Sequence, residues 1–216
     1  MPRVRRITRV DGLCCDRVAV MGVSSAMVLL RWLFLFLVTT AALAADRPPP
    51  LVLEPNEYSY TFGVPSGWDY SFEQAHEFNV PLVFFPVGGS FHTSPAVIYI
   101  NTICTLACTS GPIETAIDRV VFRAKQHSPN LNVDPAPKIP TRAGGEAIVR
   151  ILTGSQDPRQ LREALAFITH DQVTILVTLT SKDIGTWDKD YKAFRYVVSG
   201  HKFFDCRSSD LAIRCR

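Results

Sequence analysis

Two apolar runs, at 162 to 169 and 172 to 181, are separated by only His170 and Asp171. So short a connection joins antiparallel strands, because a parallel return needs a crossover of about a dozen residues or more. In the second run Val173, Ile175, Val177 and Leu179 fall on one face and Thr174, Thr178 and Thr180 on the other. A doubly wound parallel sheet is therefore ruled against, and an antiparallel sheet becomes the frame for the remaining elements.

Several other strands fit that frame. Tyr58, Tyr60 and Phe62 alternate with Ser59, Thr61 and Gly63, the pattern of a half-buried strand, and Pro65-Ser66-Gly67 with Trp68 marks its turn. Leu82 to Phe85 and Ala96 to Ile100 read as a hairpin-like pair around Gly88-Gly89-Ser90, and a further strand is expected near 146 to 153. Residues 71 to 79 suit a short surface helix or loop. Two amphipathic helices stand out. One opens at Gly111-Pro112, carries Ile113, Ile117, Val120, Val121 and Ala124 on one stripe with Arg119, Arg123 and Lys125 away from it, and stops at Ser128-Pro129. The other runs from about Gly185 to Ser199, burying Trp187, Tyr191, Phe194 and Val198, with Gly200 at its end. Four prolines between 129 and 140 suggest a loop, with at most a short edge strand near 131 to 133. The expected class is α+β, an antiparallel sheet flanked by helices in an α-β-α sandwich.

The first 44 residues stand apart. Residues 28 to 44 form an apolar stretch ending in Ala42-Leu43-Ala44, a small-x-small cleavage pattern, and Arg31 near its start supplies the positive region of a signal peptide. A start at Met27 gives such a peptide an ordinary length and leaves the first 26 residues upstream of it. The expected organisation is a signal peptide over 1–44, a Pro-rich tether over 45–56 with Pro48, Pro49 and Pro50, one α+β domain over 57–200, and a cysteine-containing tail over 201–216.

Removing that leader decides what charge can mean. The whole chain carries 23 basic and 20 acidic residues; the leader holds 6 Arg and 2 Asp, so the remainder carries 17 and 18. The excess of positive charge belongs to the leader and gives no footprint for nucleic acid or anionic membrane. Of 6 cysteines, Cys104, Cys108, Cys206 and Cys215 remain after it. In an exported chain they read as two disulfides with three possible pairings, the local one (104 with 108, 206 with 215) preferred.

The stretch Tyr58-Ser-Tyr-Thr-Phe-Gly-Val-Pro-Ser-Gly-Trp68 resembles the opening of the PsbP-like superfamily, in which an aromatic strand runs into a Pro-x-x-Trp turn. Ala164 to Ile168, Val173 to Thr180, Tyr191-Lys-Ala-Phe194 and Val197-Val-Ser199 resemble its closing hairpin and C-terminal helix. The resemblance spans most of 56 to 200. It implies an α-β-α sandwich that serves as a non-enzymatic accessory or partner-binding module, and it transfers no catalytic or metal residues.

The candidate chemistry is sparse. Cys104-x-x-x-Cys108 could hold a metal, copper above all, but such sites also take His or Met, and no Met follows Met27. A disulfide fits those cysteines better. His76, His92, His127, His170 and His201 show no zinc spacing, and His170 is expected at an exposed hairpin tip. Ser90 with His92 matches no nucleophile elbow, and Gly88-Gly89-Ser90 lacks the helix and Lys of a phosphate loop. Asp69, Glu73 and Glu77 read as solvated charges. Trp68, Trp187 and Tyr191 read as core. No catalytic residue, cofactor or nucleic-acid partner is assigned, and no membrane insertion is expected once the leader is gone. The expectation is a periplasmic or secreted non-catalytic accessory that binds another envelope or secreted protein; the alternative is a thiol or copper protein built on Cys104 and Cys108.

Overall fold

The central strand of the main sheet is buried along its whole length. In a computed structural model, which describes residues 49–54, 58–104, 112–155, 162–170 and 173–205, that strand is β9, Val173–Ser181. It sits fourth in a seven-stranded antiparallel sheet ordered β3-β4-β5-β9-β8-β7-β6. The other members are β3 (Trp68–Ser71), β4 (Leu82–Pro86), β5 (Ala96–Cys104), β6 (Asn132–Pro140), β7 (Glu146–Thr153) and β8 (Arg162–His170). The β8–β9 register runs from Arg162↔Ser181 to His170↔Val173, so these strands pair directly, as the short connection requires. A smaller antiparallel sheet, β1-β2-β10, is made of Leu51–Glu54, Tyr58–Thr61 and Lys202–Asp205. All the described residues belong to one compact unit. Residues 1–44, expected to be a signal peptide, lie outside them.

Helices cover both faces. Helix α1 (Phe72–Glu77) is capped by Ser71, whose hydroxyl accepts from the Gln74 N–H at 3.0 Å, and packs on β4. Helix α2 (Ile113–His127) packs on β8, and helix α3 (Trp187–Ser199) lies over β9, β8 and β6. On the first face one continuous cluster joins Ile98, Ile100, Ala166, Val177 and Leu179 to Trp187, Phe194 and Val198 of α3, to Tyr58 and Tyr60 of the small sheet and to Phe62 just beyond it. The second face carries two clusters. Ile117, Leu131, Leu152, Leu165, Phe167 and Leu176 gather under α2, and Ala75, Val83, Phe85 and Val97 gather under α1. The antiparallel α+β sandwich expected from the sequence is thus present.

Three local differences have clear causes. The proline-rich stretch after α2 forms β6, a nine-residue strand, where a loop was expected. Its place at the sheet edge permits Pro135 and Pro137, which cannot donate to a ladder, and a register shift between Ala136 and Ile139 puts Pro140 on the same unpaired side. The small sheet draws in residues 51–54 and 202–205, from stretches expected as tether and tail, and makes β2 its middle strand. Ser59 and Thr61 are therefore buried along with the aromatics. Gly200 has φ −76, so the helix end needs no left-handed residue; a Cβ there would lie 2.7 Å from the Gly63 nitrogen. Close crossing of two chain segments is what requires glycine at 200.

Candidate functional site

The gap between the two clusters of the second face is polar. Strand alternation brings Tyr99 of β5, Thr178 and Thr180 of β9 and Glu163 of β8 onto that face, through the registers Tyr99↔Thr178 and Glu163↔Thr180. The Thr180 hydroxyl donates to the Glu163 carboxylate at 2.8 Å. Burial pushes the Tyr99 phenol up to about 12, the Glu163 carboxylate adds to the rise, and the Thr178 and Thr180 hydroxyls offset it only in part. Tyr99 is therefore a neutral hydrogen-bonding group at any ordinary pH.

Above this floor opens a cleft of about 520 Å3, within the usual range for ligand sites. Leu131, Leu152 and Ala124 supply its aliphatic wall, Tyr99, Glu163, Ser128 and Ser155 its polar groups, and Arg123 and His127 of α2 its rim. The last turns of α2 are held by the Ser128 N–H donating to the Ala124 carbonyl at 3.0 Å, while the His127 Nδ1 sits 2.9 Å from the Arg123 carbonyl. Beyond Asp118, the exposed side of α2 carries Arg119, Arg123, Lys125 and His127 and no acid. Lys125 lies in the last turn, where its positive charge complements the negative end of the helix dipole.

Tyr99 joins this cleft to a surface aromatic group. Its ring meets Phe91 edge-on at 6.2 Å, Phe91 packs on Phe78 at 4.2 Å, and Phe78 packs on His92 at 4.9 Å. Phe78, just after α1, is 38% exposed. His92 pairs with Glu77 at 3.2 Å in the open, and the Ser90 hydroxyl engages the Thr93 hydroxyl at 2.9 Å. Ser90 and His92 are thus occupied separately, each in a local surface contact.

A second constellation lies at the end of the β8–β9 hairpin. The Nε2 atoms of His170 and His201 are 3.0 Å apart. His170, expected to be an exposed tip residue, is half-buried and stacks on Phe203 at 4.4 Å; the hairpin turns back against β10, which the sequence concealed within its tail. His201 is wholly buried against Phe62 and Tyr60. Desolvation, with the neighbouring His170 as a lesser cause, lowers it to about 3, against a weak pull upward from the Thr61 backbone. Its Nδ1 makes no well-formed hydrogen bond. The two histidines are 31 positions apart, beyond any local ligand spacing, and only the pairing of β10 with β2 brings them together.

Trp68 and Trp187 are core residues, as the sequence suggested, and Tyr191 stacks half-buried between Trp187 and Phe194. Asp190 is a buried acid with no signal in the sequence. It accepts hydrogen bonds from Thr186 at 2.8 Å and Ser181 at 3.3 Å, and burial raises its pKa despite them. Its partners make it a tie between β9 and α3. Cys104 is the last residue of β5; Cys108, Cys206 and Cys215 lie outside the described residues, so neither the disulfide pairing nor the Cys104–Cys108 metal reading has a geometry here. Among the described residues no group of three or more His, Cys, Asp and Glu side chains is placed to hold a metal ion, and no helix is long and apolar enough to cross a membrane.

No protein-family model and no curated protein matches the chain. Among solved structures it is similar to cyanobacterial PsbP (CyanoP) from Synechocystis sp., at 13% identity over 72% of this chain and 92% of that one, with a TM-score of 0.42. It is also similar to LpqN of Mycobacterium tuberculosis, a protein described as involved in cell envelope biogenesis. There the identity is 10% over 74% of this chain and 93% of that one, with a TM-score of 0.47. Both likenesses concern the arrangement of strands and helices alone.

Proposed function

We propose that this chain is an exported, non-catalytic accessory protein, and that it binds an acidic, extended segment of another envelope or secreted protein along the second face of its sheet. The observation that carries this reading is the position of Tyr99, which belongs both to the cleft floor and to the aromatic row ending at Phe78. Together they make a surface longer than one small molecule needs. It combines half-exposed aromatics, which partner proteins commonly use as anchors, with a basic rim. The apolar leader with its Ala42-Leu43-Ala44 pattern supports export. The sheet edges suit partner binding less well. β6 is studded with Pro135, Pro137 and Pro140, and β3 is four residues long.

The test compares retention from the native envelope extract on immobilised wild-type protein, Arg123→Glu and Lys189→Glu. Both substituted residues are exposed, so the fold tolerates either change. A species retained by wild type and Lys189→Glu and lost from Arg123→Glu is expected. Retention indifferent to Arg123→Glu, or no retained species, would overturn the proposal.

A further inference from the structure

We propose that His170 and His201 form a binding site for a soft monovalent metal cation, Cu(I) being the biological example, held between their two Nε2 atoms. The two nitrogens already face each other at 3.0 Å. A linear bridge needs them roughly 4 Å apart, twice a metal–nitrogen bond of about 2 Å. The extra separation has to come from His170, which sits half-buried at the hairpin end, while His201 is wholly buried and fixed. His201 is pinned by the close crossing of Gly200 over Gly63 one residue earlier, which seats its ring 4.9 Å from Phe62.

The tautomer also fits. With the His201 proton on Nδ1, the Nε2 lone pair points at His170. In the metal-free pair His170 Nε2–H donates to that lone pair. On binding, the His170 proton moves to Nδ1 through solvent, so both imidazoles ligate as neutral groups. No proton is released and no electron is transferred.

The surroundings select the ion. Tyr60, Phe62 and Phe203 pack around the pair. Aromatic walls disfavour strongly hydrated divalent ions, and the described residues provide no third His, Cys, Asp or Glu to complete a tetrahedral or octahedral shell. Two neutral nitrogen donors facing each other between aromatic walls suit a weakly hydrated d10 cation that accepts two-coordination.

The test titrates Cu(I), presented by a chromophoric competing chelator, into the full chain with its thiols alkylated, since thiolates would otherwise compete. Parallel titrations use His170→Gln, which keeps a hydrogen-bonding group opposite His201 at a half-exposed position, and His127→Gln as a control. One ion per chain with nitrogen-only ligation by X-ray absorption is expected. Affinity should fall at least about tenfold in His170→Gln, with circular dichroism unchanged, and stay constant in His127→Gln. Equal affinity in His170→Gln, an equal fall in His127→Gln, or no binding to the alkylated chain would overturn the proposal.

Discussion

One face of the seven-stranded sheet is a single apolar field, whereas the other is broken into two. On the first, β5, β8 and β9 present Ile98, Ala166, Val177 and Leu179, and α3 seals them with Phe194, Val197 and Val198. On the second, the same three strands turn out Tyr99, Glu163, Thr178 and Thr180 between the patches under α1 and α2. Burial of apolar area holds the domain together at about 25 cal/mol per Å2, so the first face carries more of the stability. The second gives up part of that gain and keeps hydrogen-bonding groups beside a cleft. A strand with both faces buried had no need of threonines at alternate positions. Their presence in the central strand marks where apolar packing gives way to hydrogen-bonding groups.

That contrast can be broken in several places. The largest effect is expected from Phe194→Ala, which empties a fully buried position of the first face and should cost about 3–5 kcal/mol in urea unfolding. Next comes acid. In the metal-free protein His201 is lowered to about 3 against an unfolded value near 6.5, so the unfolded state binds the extra proton between those limits. Stability is full above about pH 6.5 and falls as pH drops toward 3, with a slope of about 1.4 kcal/mol per pH unit that His201→Phe should remove. Ile117→Ala, under α2 on the divided face, should cost about 2 kcal/mol, the low end for such truncations, because many of its neighbours are only partly buried. Thr180→Val removes a donor to Glu163 and adds apolar volume, and should change stability by about 1 kcal/mol or less. The exposed Phe122→Ser should stay within about 0.5 kcal/mol.

The antiparallel frame was legible because it rests on local signals. The two-residue gap after Thr169 gives β8 and β9, and the alternation in β9 predicts its two faces. Strand β6 was not, since Pro135, Pro137 and Pro140 argue against a strand until the edge position is known. Strands β1 and β10 were missed for a related reason: four-residue segments gain their meaning from the partner they find in β2. The cleft was half-legible. The threonine row and the cations of α2 were visible, but their convergence with Tyr99 and Glu163 depends on register across three strands. The histidine pair was illegible, because it forms between a hairpin end and a strand hidden in the tail.

The most direct test of the division between the faces is photo-crosslinking in the native envelope, with the reactive residue placed at Arg123 on the cleft rim or at Lys189 on the outside of α3. The account predicts a discrete protein adduct from position 123 and none from position 189. An adduct from 189 alone, or the same adduct from both, would contradict it.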